Sequence, residues 1–169
     1  MITNKDDLVI TKWGARYRGR HLPCAIGRGG IGVKTGEGDG ITPAGTFRIL
    51  GLGVRPDRVA ISSIIPQFEI GPMDKWSDDP KDPAYNHLIR AHDHAFSHER
   101  LRRADPLYDA FVILDFNYPE AQPGKGSAIF LHIWRRPRYP TEGCVAFEAA
   151  DFLDILSTWT ADAQIHIRE

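Results

Sequence analysis

The sequence predicts a mainly β domain with few helices, and three observations carry that prediction. Sixteen Gly and twelve Pro in 169 residues call for many turns, which suit short strands better than long helices. Residues 108–116 (YDAFVILDF) and 127–133 (SAIFLHI) are apolar runs of the kind that buried central strands make. Only residues 148–159 (EAADFLDILSTW) place apolar side chains, Phe152, Leu153, Ile155 and Leu156, at helical spacing, which predicts one amphipathic helix.

The remaining elements follow along the chain. Residues 8–11 (LVIT) form a short strand, and residues 16–26 (RYRGRHLPCAI) form a second with a turn at Gly19. A glycine-rich stretch occupies residues 27–40. The turn Pro43-Ala44-Gly45 leads into an alternating strand, Thr46-Phe47-Arg48-Ile49-Leu50. Residues 71–106 are polar and aromatic, with Trp76, Tyr85 and the histidines His87, His92, His94 and His98, and read as a functional loop and not a packing element. Residues 164–168 (QIHIR) close the chain with a strand. No repeat, low-complexity tract or composition shift divides the sequence, so residues 1–169 are expected to form a single domain. A chain of this length buries roughly 70% of the surface its unfolded form exposes, so neither a disulfide framework nor a structural metal is needed.

Composition excludes several classes. With 21 Lys+Arg against 22 Asp+Glu, the net charge is -1, which argues against a nucleic-acid partner or a general phosphate-binding surface. Cys24 and Cys144 are the only cysteines, too few for a four-cysteine zinc site. No run approaches the roughly 18 apolar residues of a membrane span. Residues 1–14 (MITNKDDLVITKWG) contain two aspartates and no apolar core of a secretory signal, so, taken literally, the sequence leads to the expectation of a chain that stays in the cytoplasm.

Three constellations could carry chemistry. Gly27–Gly32 (GRGGIG) looks like a phosphate loop, but such a loop ends in Gly-Lys-Ser/Thr at the start of a helix. Here Val33 precedes Lys34-Thr35, and Pro43 and a strand replace the helix, so a turn between strands is expected. His92, His94 and His98, with Asp93 and Glu99 interleaved, offer imidazole and carboxylate ligands. A third ligand of clear identity is missing, and the alternative is a set of loop histidines, some near substrate; no metal is expected. In the third, His132 ends an apolar strand, and after the basic loop 134–140 (WRRPRYP) comes Thr141-Glu142-Gly143-Cys144-Val145-Ala146. A cysteine nucleophile needs a base within hydrogen-bond reach and backbone N–H groups for the oxyanion. Gly143 permits close backbone approach, and Arg135, Arg136 and Arg138 would make the loop electropositive. On spacing alone, a small buried cysteine beside a core histidine is an equal alternative.

The sequence resembles the L,D-transpeptidase catalytic domain of bacterial cell-wall enzymes. His132 followed by Thr141-Glu142-Gly143-Cys144-Val145 matches that family's signature of a His, a loop and Ser/Thr-x-Gly-Cys. Residues 40–47 (GITPAGTF) resemble its Thr-Pro-x-Gly-x-Phe turn, and residues 107–133 resemble the branch of small single domains. The resemblance implies a β-sandwich with a few short helices and a cysteine acyltransferase without cofactor. Cys144 would attack the diaminopimelate carbonyl of a peptidoglycan tetrapeptide stem and release D-Ala. His132 would be the base and Gly143 a backbone oxyanion donor, while an amine of a second stem would resolve the thioester to a 3→3 cross-link. Resolution by water, giving a carboxypeptidase or endopeptidase, and a non-catalytic peptide-binding module on the same scaffold are the alternatives. Carbapenem-type inhibitors are expected to acylate the same thiol.

The sequence also departs from the pattern. Ala146 stands where Arg is usual, so one of Arg135, Arg136 or Arg138 would serve a substrate carboxylate together with Thr141. Glu142 precedes Gly143 and would oppose a thiolate if it pointed inward. Ile133 follows the base, so a backbone carbonyl or a distant residue must orient the imidazole. A peptidoglycan substrate places the site of action in the periplasm or cell envelope, in conflict with the missing export signal.

Overall fold

The computed structural model describes residues 4–169, so Met1–Thr3, the start of the stretch read for an export signal, lie outside the described residues. The chain opens with a meander, β1 (Leu8–Thr11), β2 (Gly14–Tyr17) and β3 (Arg20–Leu22). The run 16–26 is thus not one strand. Arg18 and Gly19 take positive φ values of 47° and 77° to reverse the chain, and Pro23, which has no N–H to donate, ends β3. Beyond Pro23, β4 (Cys24–Ala25) joins a different sheet. Short β5 (Ile31–Gly32), β6 (Thr42–Pro43) and β7 (Gly45–Phe47) follow, then the longer β8 (Ile49–Val54) and β9 (Gln67–Glu69).

The segment 71–106 corrects the expectation of an irregular loop. It contains β10 (Asp74–Ser77), β11 (Leu88–Arg90) and β12 (His98–Arg100), which pair antiparallel in the order β11-β10-β12. Trp76 and Leu101 are fully buried. Each large side chain so buried contributes about 1.5–3 kcal/mol, and the indole Nε1–H is satisfied by Asn86 Oδ1 at 2.9 Å. Two central strands come next, β13 (Ala110–Leu114) and β14 (Phe130–Ile133), then β15 (Val145–Phe147), α1 (Ala149–Thr158) and β16 (Ile165–Ile167). The single helix matches the predicted one. Glu148 caps it by accepting from Ala150 N–H at 3.1 Å and Asp151 N–H at 3.4 Å, and Phe152, Ile155 and Leu156 face inward.

The architecture is a β-sandwich. One sheet has the order β3-β2-β1-β16-β7 and the other β4-β15-β14-β13-β8-β9. Alternation along β13 assigns its two faces. Ala110, Val112 and Leu114 join the core shared with the first sheet and α1, whereas Phe111 and Ile113 join a second core with Trp76, Leu101, Tyr108 and Phe130. Residues 71–106 are the cover of that second face. This explains why β13 and β14 are buried at every position.

Candidate active site

The two residues singled out for catalysis are set by strand register. β14 and β15 run parallel, with Leu131 opposite Val145 and His132 opposite Ala146. Leu131 and Ile133 point into the first core, so Phe130 and His132 point to the face covered by residues 71–106. Cys144, one residue ahead of β15, packs against the same second core. Cys144 and His132 both line one cavity of about 540 Å³. That volume is in the range of a small-molecule or peptide subsite.

His132 is buried, and its Nδ1–H donates to the carbonyl of Ile133 at 2.8 Å. A backbone carbonyl therefore orients the imidazole, leaving Nε2 as the acceptor. The edge of the ring meets Tyr108 at a centroid distance of 5.4 Å. Burial lowers the His132 pKa to about 4, so the resting imidazole is neutral. Cys144 Sγ–H donates to Ala128 O at 3.1 Å, and Phe130 N–H points at the sulfur at 3.5 Å. Burial, and then the charge of Glu99, push the thiol up to about 12, while the Phe130 N–H and Lys34 act the other way. At rest the two side chains are therefore a thiol and a neutral imidazole.

The turn before Cys144 is held from both sides. Thr141 Oγ1 donates to Cys144 O at 2.6 Å and accepts the Gly143 N–H at 3.2 Å, so the Gly143 N–H is engaged within the turn. Gly143 has φ 143°, and a Cβ there would lie 3.0 Å from Ile41 O, so the position needs glycine. Thr42 Oγ1 also reaches Cys144 O at 3.4 Å while accepting Gly27 N–H at 2.8 Å. Arg28 N–H donates to Thr141 O at 2.9 Å, and Thr141 N–H to Ile26 O at 3.0 Å. The glycine-rich stretch thus supports the cysteine turn. Gly27 is essential to it, because a Cβ there would sit 2.0 Å from Gly40 O.

The three arginines of the loop do not act together. Arg135 lines the cavity. Arg136 lies 4.2 Å from the centre of the Tyr139 ring, and Arg138, turned by a φ of 55°, lines a separate cleft with Trp13 and Arg168. Glu142 points outward: its side chain is 74% exposed and pairs with Arg28 at 2.9 Å. The inward cation is Lys34, 4% exposed, which donates to Asp39 at 2.6 Å and Ile41 O at 3.3 Å and lies beside Gly143. Lys34→Met would leave the Asp39 carboxylate with the N–H groups of Thr35, Gly36 and Ile41 but no cation. We expect a loss of about 1.5–3 kcal/mol, a fall in Tm of roughly 6 °C by thermal unfolding, with partial recovery in Lys34→Met/Asp39→Asn.

The three histidines do not converge on one point, although the His94 and His98 rings meet edge to face at 5.6 Å. His94 Nε2 binds Asp82 at 2.7 Å, His92 pairs with Asp93 at the surface, and His98 Nδ1 donates to Phe96 O at 2.8 Å. Among the described residues no three His, Cys, Asp or Glu are grouped to hold a metal ion. Of this stretch, His98 and Glu99 line the Cys144 cavity. The sequence reading did not single out Glu99, Tyr108, Lys34 or Thr42 for the site. Thr42 lies in the Thr-Pro turn already noted, and Glu99 inside the His-rich run, but nothing local marks any of them as neighbours of Cys144.

The sandwich thus places a Gly-Cys turn and a strand-borne imidazole at one cavity. The chain belongs to the L,D-transpeptidase catalytic domain family (YkuD), whose family model matches residues 2–167. This is a family of cysteine-dependent transpeptidases that act on peptidoglycan. No curated protein and no solved structure matches the chain. No helix among the described residues is long and apolar enough to cross a membrane.

Proposed function

We propose that the protein is a peptidoglycan L,D-transpeptidase whose nucleophile is Cys144 and whose base is His132. The observation that carries this reading is their convergence on one cavity, His132 from β14 and Cys144 from the turn just ahead of its parallel neighbour β15. His132 Nε2 takes the thiol proton as sulfur attacks the carbonyl at the L-centre of diaminopimelate in a tetrapeptide stem. With the Gly143 N–H engaged by Thr141, the oxyanion falls to the N–H of Cys144 itself. Collapse breaks the peptide bond, and His132 returns the proton to the departing D-Ala amine. His132 then deprotonates the side-chain amine of a second stem, which attacks the thioester, forms the 3→3 link and releases the thiol. Arg135, at the rim, is the residue suited to a stem carboxylate. Because the polymer lies outside the cytoplasmic membrane, action in the cell envelope follows from the substrate.

Glu142 is exposed and paired with Arg28, and its charge is not among the influences on the Cys144 thiol, which removes one ground for a non-catalytic module. Incubation with a tetrapeptide stem is expected to release D-Ala, to add the tripeptide mass to the peptide carrying Cys144, and to accumulate a 3→3 dimer. Free tripeptide with no dimer would assign a carboxypeptidase. Absence of any adduct with the stem or with meropenem would leave a binding module instead.

A further inference from the structure

We propose that the cleft beside Trp13 is a second binding site, one that holds the peptidoglycan polymer through the carboxylates of its stems and the face of a sugar ring. The proposal rests on the peptidoglycan substrate of the proposed function. The cleft, of about 600 Å³, is lined by Trp13, Arg16, His21, Arg138 and Arg168, and it shares no lining residue with the Cys144 cavity. Three segments build it. Trp13 sits in the β1–β2 turn, where Thr11 stands opposite Gly14. The Thr11 hydroxyl accepts the Trp13 N–H at 3.3 Å and donates to Gly14 O at 3.2 Å. Arg16 lies on β2, and Arg168, just after β16, is fixed to β1 by its N–H, which donates to Ile10 O at 2.9 Å. Arg138, with its φ of 55°, comes from the loop 134–140.

The charge in this cleft is unbalanced. Most arginines of the chain hold a carboxylate, and Arg135 and Arg136 sit over the Tyr139 ring. Among the described residues, those with neither partner are Arg16, Arg100, Arg138 and Arg168. All but Arg100 line the cleft, and no carboxylate lines it with them. Grouped guanidiniums that the fold leaves unneutralised attract an anion, and the planar fork of each suits a carboxylate. Trp13 adds a contact of another kind. It is 77% exposed, whereas Trp76 and Trp159 are buried, and a rigid aromatic ring kept in water beside a cleft offers a platform for a flat apolar face. A peptidoglycan strand carries both groups, carboxylates on its stems and C–H faces on its sugars. The loop that supplies Arg138 also supplies Arg135, Tyr139 and Pro140 to the Cys144 cavity. A strand held in the cleft therefore raises the local concentration of stems at the nucleophile.

Cys144→Ala protein, which cannot form a thioester, is mixed with insoluble diaminopimelate-type peptidoglycan, and the unbound fraction is measured after sedimentation. In this background Trp13→Ala and the pair Arg16→Gln/Arg168→Gln are each expected to raise the apparent Kd by about 10-fold or more. Peptidoglycan stripped of its stems by an amidase is expected to hold the parent protein as weakly as intact polymer holds the arginine pair. In protein that keeps Cys144, both sets should leave acylation by a free tetrapeptide stem unchanged, read by intact mass, which also reports that the fold is kept. Undiminished retention of both sets on intact polymer would overturn the site. Displacement by a short oligodeoxynucleotide but not by soluble disaccharide tetrapeptide would give the cleft to another polyanion and overturn it equally. Because retention is read without the nucleophile, cleft-dependent binding with no acylation of Cys144 would support this site and defeat the transpeptidase reading alone.

Discussion

Cys144→Ala is expected to reduce thioester formation and D-Ala release to the background rate, a loss on the order of 10⁴-fold or more, with the fold intact. The size of the effect comes from the loss of the sulfur that forms the covalent bond, for which no neighbour substitutes. Cys24, the other cysteine, is buried on β4, and burial pushes its thiol up to about 12. The stability cost is small for a separate reason. Cys144 is half-buried and its thiol donates one weak hydrogen bond, to Ala128 O, so unfolding free energy should change by about 1 kcal/mol. Intact mass with a stem and denaturant unfolding, run on one preparation, check both halves. Any thioester surviving in the variant would remove Cys144 from the mechanism.

His132→Gln is expected to slow acylation by about 10²- to 10⁴-fold, the usual contribution of a positioned general base. The same substitution has a signature in stability that a merely structural role elsewhere would lack. Burial holds the native imidazole at a pKa of about 4, below its ordinary 6.5. In the unfolded chain the ring takes up a proton as the pH falls through about 6.5, while the native ring stays neutral until about 4. The unfolded state therefore binds more protons across that window, and native stability declines as the pH drops. Between pH 7 and 4 the wild-type protein should lose about 3 kcal/mol that the Gln variant does not. Chemical denaturation of both proteins at the two ends of the window measures the difference. Parallel pH profiles would mean that the native imidazole titrates near its ordinary value.

Elements with a continuous apolar run or a clean period were visible in the sequence. β1, β13, β14, β16 and α1 all fall within the runs predicted for them. The covering sheet was hidden because its strands are only three or four residues long, and two of them, β11 and β12, contain no fully buried position. Their buried anchors, Trp76 and Leu101, stand 25 positions apart within polar sequence. Cys144 and His132 could be named because the family signature places both within one short interval. Glu99, Lys34 and Thr42 could not, since each reaches the site through strand pairing or chain reversal across 45 to 110 positions. The arginines show the opposite error. Arg135, Arg136 and Arg138 are neighbours in sequence, but only Arg135 lines the cavity; Arg135 and Arg136 both sit over Tyr139, and Arg138 turns to a separate cleft.

The layer formed by residues 71–106 has a consequence for how the two walls of the cavity can vary. His132 and Cys144 belong to β14 and the turn before β15, which are fixed by the central sheet, whereas His98, Glu99, Arg100 and Arg103 come from one uninterrupted stretch laid over it. Substitutions in the overlying stretch can therefore reshape one wall without moving the strands beneath, provided that the Trp76 and Leu101 anchors that fasten it to the sheet are kept.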